Sequence, residues 1–185
     1  TGEVLDQHNY TVYCAMGKLA GHTHSDGCTD YMDNVAQNML PVLADSASYR
    51  VFPLPAESPI HGELELVINP ADTMASPFGW HDTDGVEGPE YLITRGNNVH
   101  AFADTSDTNT SQGDEPFGGD NLVFDFPFKP EVNPDSSLDF AVTQLFYMNN
   151  MMHDFTYAYG FDEAAGNFQT INYSGNGAGG DYVLA

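Results

Sequence analysis

One stretch of the chain carries an uninterrupted helical pattern. From Leu138 to Gly160, LDFAVTQLFYMNNMMHDFTYAYG, the apolar residues Leu138, Ala141, Val142, Leu145, Met148, Met152, Phe155 and Tyr159 recur at spacings of three and four. That spacing predicts one continuous apolar face. Ser136 is the candidate N-cap, with Asp139 three positions on in an S-x-x-D variant of the capping box. Gly160 suits the C′ position, where φ is positive. The helix would run about 23 residues, roughly 35 Å. Phe140, Phe146, Tyr147, Met151 and Tyr157 lie off the stripe, so the helix is apolar around most of its circumference. A helix of that kind is buried on several sides, and it is expected at the centre of the fold.

Elsewhere the pattern is that of short strands. Residues 1–13 alternate as two short strands or one bent strand, and 14–48 form a loop-rich linker that ends in small residues near Asp45 and Ser48. YRVFPLP, from Tyr49, predicts a strand that Pro53 and Pro55 would confine to a sheet edge. ELELVI (63–68) alternates Leu64, Leu66 and Ile68 with Glu63, Glu65 and Val67, a strand with one wet face. YLITRGNNVHAFAD (91–104) predicts a hairpin about a Gly-Asn-Asn turn. LVFDFPF (122–128) adds a strand with Phe124 and Phe126 on one face. After the helix, NFQTINY and DYVLA resume the strand character around a Gly-rich loop. Strands, one long helix, then strands again give an α+β architecture: a β-rich lobe with one long central helix.

Charge narrows the partners. Four Lys and Arg stand against 27 Asp and Glu, for a formal net charge of −23. Nucleic acid and anionic membranes both require basic patches, so both are excluded as expected partners. No apolar run approaches the ~20 residues that span a bilayer. The acidic excess favours solubility, a saline or calcium-containing medium, and cation binding. The chain does not begin with a signal peptide, and both its ends resemble interrupted strands, so it reads as a segment of a longer precursor.

Two places hold candidate chemistry. The acidic loop from Asp104 to Asp120 places Asp104, Asp107, Asn109 and Asp114 within a few residues of one another, hard oxygen ligands of the kind calcium takes. D-x-N-x-S from Asp107 resembles the start of an EF-hand loop, but Gln112 replaces the required glycine, and a solvated acidic loop is the plainer alternative. Cys14 and Cys28 bracket a segment containing His22 and His24; a local disulfide is expected, with metal binding as the rival, although C-x7-H-x-H-x3-C is not a common zinc spacing. Within the helix, Asn149, Asn150, His153 and Asp154 are the polar insertions. Adjacent helical positions point to different faces, so His153 and Asp154 are expected as structural anchors and not as a dyad. The sequence contains no H-E-x-x-H, G-x-S-x-G or P-loop motif.

Several segments in order, SYRVFPLPAESP, ASPFGWHD, TRGNNVHAFAD, LVFDFPF, AVTQLFYMNNMMHDFTYAYGFDEAAGNFQ and GGDYVLA, closely resemble the fungalysin-type (elastinolytic) zinc metalloendopeptidases. The resemblance runs from about Tyr49 to Ala185, and NNMMHDFTYAYGFDEAAGN is its most specific part. TGEVLDQHNYTVYC resembles the last strands of the propeptide in such precursors. The resemblance implies a secreted enzyme made as a zymogen, with 1–45 as the end of the propeptide and a linker, and 46–185 as the amino-terminal lobe of a thermolysin-like catalytic domain. It implies zinc as cofactor, held by an H-E-x-x-H helix and a downstream glutamate that this sequence does not contain. The catalytic residues are therefore expected outside it, this segment alone is expected to be inactive, and its partners are the remainder of the precursor and protein or peptide substrates. The rival expectation is a non-catalytic, calcium-stabilised extracellular module.

Overall fold

The computed structural model describes residues 46–56 and 59–185. Their fold is α+β. Strand β1 (Ser48–Val51) lies between β2 (Glu65–Ile68), which it pairs with antiparallel, and β4 (Val123–Phe124), which it pairs with in parallel. A second sheet pairs β3 (Val99–His100) in parallel with β5 (Val183–Leu184). The long helix α1 (Leu138–Ala158) packs over β1 and β3.

β1 is central, not the edge strand its prolines predicted. The strand ends at Val51, so Pro53 and Pro55 lie beyond the ladder and take no donor from it. Tyr49 faces Val67 on one side and Phe124 on the other, and its buried ring stacks on Phe124 at 5.4 Å between centroids. In β2 the inward residue is Val67, while Leu66 and Ile68 are exposed, so the dry face is the one that sequence alternation assigned to the glutamates. The antiparallel register Tyr49↔Val67 fixes this, because side chains alternate with a period of two.

The hairpin about Gly96 forms as its sequence predicts: Arg95 bridges His100, and the Ala101 amide donates to the Thr94 carbonyl at 2.9 Å. Gly96 is there because of space. A Cβ at this position would lie 1.5 Å from the Trp80 carbonyl oxygen. NFQTINY does not form a strand. It is tied instead to Asn97, whose carbonyl accepts from the Thr170 amide at 2.7 Å and whose Oδ1 accepts from the Ile171 amide at 2.9 Å.

α1 begins at Leu138, as its pattern predicts, and ends two residues short of Gly160. A 3-10 turn, Pro134–Ser137, absorbs Ser136, and the N-cap position falls to Ser137, whose Oγ accepts from the Lys129 amide instead of capping the helix. At the other end Gly160 has φ 94°. Its amide donates to the Tyr157 carbonyl and that of Phe161 to Thr156, the paired bonds of a Schellman stop.

The larger difference is rotational. Of the predicted stripe only Val142 is buried, whereas Leu145, Met152, Phe155 and Tyr159 are exposed. The buried residues are Phe140, Val142, Thr143, Phe146, Tyr147, Asn150 and Asp154. Three of these seven are polar, which is why hydropathy spacing selected the wrong face.

Candidate functional site

The buried polar half of α1 ends in a carboxylate with four donors. Oδ1 of Asp154 accepts from Ser76 Oγ at 2.8 Å and His153 Nδ1 at 3.0 Å. Oδ2 accepts from Trp80 Nε1 at 2.9 Å and from the Asp72 amide at 3.0 Å. Three of these donors come from one segment at a spacing of four, Asp72, Ser76 and Trp80. That segment is wound by its own contacts: Asp72 Oδ1 accepts from the Met74 and Ala75 amides, and the Ser76 amide returns to the Asp72 carbonyl at 2.8 Å. A buried carboxylate is tolerated where its lone pairs are filled, and here every oxygen has two donors.

The network continues in both directions. Asn98 Nδ2 donates to Ser76 Oγ at 3.1 Å and to Asn150 Oδ1 at 3.2 Å, and Asn150 Nδ2 donates to the Phe146 carbonyl at 2.9 Å. On the other side Asn167 Nδ2 donates to His153 Nε2 at 3.2 Å and to Gln169 Oε1 at 2.7 Å. With Nε2 accepting, the imidazole carries its proton on Nδ1, where it is donated to Asp154. The two adjacent residues do therefore meet, contrary to the face argument, because Nδ1 lies close enough to the backbone to reach its neighbour's carboxylate. His153 also borders a cavity of about 280 Å³ that Asn98, Asn149, Met152, Phe161 and Phe168 help to line. Asn149 takes no part in the network: its side chain turns back to the Leu145 carbonyl at 2.9 Å.

A second histidine lies nearby. His81 is fully buried, with Nε2 2.8 Å from Tyr49 Oη and Nδ1 3.0 Å from the Arg95 carbonyl. It stacks on Phe124 and Phe146. Burial pushes its pKa down to about 4, only partly offset by the backbone carbonyls, so the ring is neutral at pH 7.

The acidic loop does not gather its predicted ligands. Asp104 caps its own loop, accepting from the Thr108 and Asn109 amides at 2.9 Å each. Asp104 and Asn109 border one hollow and Asp114 another. Asp107 and Asn109 both hold φ 55°. Glu115 accepts from His100 Nε2 at 2.6 Å and from Ser111. Among the described residues, the three carboxylates that do converge are Asp82, Asp84 and Glu90. Cys14 and Cys28 lie outside the described residues.

The side chains described here do not suit zinc. The converging group is all oxygen, whereas zinc sites are built on imidazole and thiolate. His81 and His153 have both ring nitrogens engaged, and His100 is paired with Glu115. What the Asp154 network does is hold residues 72–80, β3 and residues 167–169 against α1. The sequence singles out Asn150, His153 and Asp154 within the helix, but not Asp72, Ser76, Trp80, Asn98, Asn167 or Gln169, which lie outside the helical pattern and carry no local signal of their own.

Comparison with known proteins identifies the family of the chain. A family model described as Fungalysin metallopeptidase (M36) matches residues 48–185. The chain is 39% identical over 157 residues to extracellular metalloproteinase 1 of Arthroderma gypseum, covering 84% of this chain and 24% of that protein. It is 40% identical over 138 residues to extracellular metalloproteinase 5 of Trichophyton tonsurans, covering 75% of this chain and 22% of that protein. Extracellular metalloproteinase 3 of the same organism is 39% identical over 140 residues. The chain thus spans about a quarter of the length of these curated relatives. Among the described residues no helix is long and apolar enough to cross a membrane. Because the family match takes in both sheets, α1 and every member of the Asp154 network, the chain belongs to the fungalysin metallopeptidase family.

Proposed function

We propose that this chain is a portion of a secreted zinc metalloendopeptidase made as a zymogen: residues 1–45 are the end of the propeptide and a linker, and 46–185 are the amino-terminal lobe of the catalytic domain. The observation that carries this reading is the family match over residues 48–185, in a chain spanning about a quarter of the length of relatives named extracellular metalloproteinases. Zinc, its ligands and the general base belong to sequence that this segment does not contain, so the segment alone has no peptidase activity and its own residues serve as scaffold. The outward face of α1 supports the same view. Leu145, Met152, Phe155 and Tyr159 are exposed apolar residues on a helix otherwise locked into the fold, as expected where more of the same protein packs. Substrates are proteins or peptides.

The test compares two chains in one assay. The 185-residue chain should leave a generic protein substrate intact with or without chelator. The full-length precursor, activated by cleavage, should hydrolyse it and lose that activity to a zinc chelator. Amino-terminal sequencing of the activated enzyme should begin near Asp45–Ser48. Hydrolysis by the short chain, or a chelator-insensitive full-length enzyme, overturns the proposal.

A further inference from the structure

The loop that follows Trp80 brings together three carboxylates for which no ion pair is seen among the described residues. A carboxylate oxygen from each of Asp82, Asp84 and Glu90 lies within 4.8 Å of the other two. Asp84 and Glu90 are exposed, but Asp82 is fully buried. Oδ1 of Asp82 is occupied, accepting from the Gly85 amide at 3.0 Å and from Tyr173 Oη at 2.7 Å. Oδ2 is equally sealed from solvent and has no donor at all. A buried carboxylate oxygen without a partner is costly. The neighbouring charges that act on Asp82 are those of Glu90 and Asp84, both of its own sign. Burial first, and those two carboxylates after it, push the Asp82 carboxyl above its usual range. A proton on Oδ2 would neutralise the charge but would itself have no acceptor.

We propose that Asp82, Asp84 and Glu90 form a calcium site that staples the loop 82–90 to the segment carrying Tyr173. The donor set is all oxygen and carries three negative charges, which selects a hard divalent cation over zinc or copper. Coordination geometry favours calcium over magnesium: calcium accepts irregular sets of about six to eight oxygens at about 2.3–2.6 Å, whereas magnesium demands near-ideal octahedral geometry. Three carboxylate oxygens within 4.8 Å of one another can share one such ion. The surroundings are built to hold the three carboxylates in place. Glu90 Oε2 accepts from the Thr83 amide and hydroxyl, the Glu90 amide donates to the His81 carbonyl at 3.2 Å, and Asp84 Oδ1 accepts from the Val86 amide at 2.8 Å. Tyr173 is anchored independently, its amide donating to Glu163 Oε1 at 2.6 Å, while the Ser174 amide donates to Oε2 at 2.8 Å. Gly177, at φ 71°, completes that anchor, since a Cβ there would lie 1.9 Å from the Glu163 carbonyl oxygen. An ion on Asp82 therefore joins two segments nearly a hundred residues apart in sequence, and it does so whether or not the peptidase reading holds.

Terbium is a direct probe, because Tyr173 sits against Asp82 and can transfer excitation to a lanthanide bound there. Excited through tyrosine, the chain should give terbium emission that saturates at one ion per chain and that calcium displaces. Asp84→Asn with Glu90→Gln, both at exposed positions, should weaken binding by roughly tenfold or more, about 1.4 kcal/mol per decade. The same double variant should abolish the rise in melting temperature that calcium gives the unmodified chain. Asp104→Asn with Asp107→Asn, in the long acidic loop, should leave both readouts unchanged. Emission that persists undiminished in the Asp84/Glu90 variant, or that disappears in the Asp104/Asp107 variant, overturns the assignment. So does displacement by magnesium as effective as that by calcium.

Discussion

The two long faces of α1 are partly inverted relative to the usual rule. The inner face mixes Thr143, Asn150 and Asp154 with Phe140, Val142, Phe146 and Tyr147, all buried; the outer face carries Leu145, Met152, Phe155 and Tyr159, all exposed. Asn150 and Asp154 are held there by Asn98 and by residues 72–80, which offsets the cost of burying them, whereas Thr143 Oγ1 is buried without a partner. The outer face has no such account within these residues. An inner face chosen by hydrogen bonding gives a particular neighbour at a particular angle, which an apolar stripe does not. The helix thus orients its own lobe by polar contacts and keeps its apolar surface for something else.

The sharpest way to break the inner face is Asp154→Ala. It leaves Trp80 Nε1–H, Ser76 Oγ–H, the Asp72 amide and His153 Nδ1–H without their acceptor. Each buried unpaired donor costs about 1–3 kcal/mol and the losses are not additive, so roughly 3–5 kcal/mol is expected, enough to unfold a marginal lobe. Asp154→Asn, which keeps the shape and two acceptor lone pairs, should recover part of this in urea denaturation. Equal loss in the two variants would show that packing volume, and not the charge-assisted donors, holds the segment.

Acid should attack the same region through His81, which stacks on Phe146 of the inner face. In the unfolded chain the imidazole titrates near 6.5, and in the fold near 4. Between those values the unfolded state binds the proton and the folded state does not, so protonation favours unfolding. Stability is complete above pH 6.5, declines as pH falls, and by pH 4 has lost about 3 kcal/mol from this group. His81→Asn should flatten the slope between pH 7 and 5, a window above the ordinary carboxylate range. An unaltered slope would place the acid sensitivity elsewhere.

Asn150→Ala should cost less, about 1–2 kcal/mol, because it removes one acceptor for Asn98 and one local bond to the Phe146 carbonyl. Asn149→Ala, one position away, should cost only a few tenths of a kcal/mol, since its single bond is a turn-back to Leu145 on a partly open surface. Equal effects at the two positions would mean that the helix is rotated from the orientation described.

Much of this was legible in the sequence, and the failures have one cause. The existence and extent of α1, its Gly160 stop, the hairpin at Gly96 and the α+β order all rest on local signals: periodicity, a positive-φ glycine, a turn dipeptide. The face of α1, the central place of β1 and the inward residue of β2 are set by partners far along the chain, Asp72–Trp80 for the helix, Phe124 and Val67 for Tyr49. Hydropathy counts Asn150 and Asp154 as outward because it does not know that Ser76, Trp80 and Asn98 await them. The same blindness led from a run of acidic residues at 104–120 to a candidate cation loop, while the carboxylates that meet, at 82, 84 and 90, lie in a segment with no helix or strand pattern to draw notice.

The outer face supplies the smallest effect, and its smallness is what makes it informative. Met152→Ser and Phe155→Ser replace residues that are 48% and 53% exposed. In the 185-residue chain each should change unfolding free energy by no more than about 0.5 kcal/mol, because little apolar surface is withdrawn from water there. In the full-length precursor the same substitutions should cost roughly 1–3 kcal/mol each if this face is covered by the rest of the protein. The comparison between the two contexts isolates the covering contact, since everything internal to the lobe cancels. A small, equal effect in both would mean that α1 keeps an apolar face in solvent and that the remainder of the protein docks elsewhere. A large effect in the short chain alone would mean that the outer face is already packed within it, and the inversion of the helix would fall with that result.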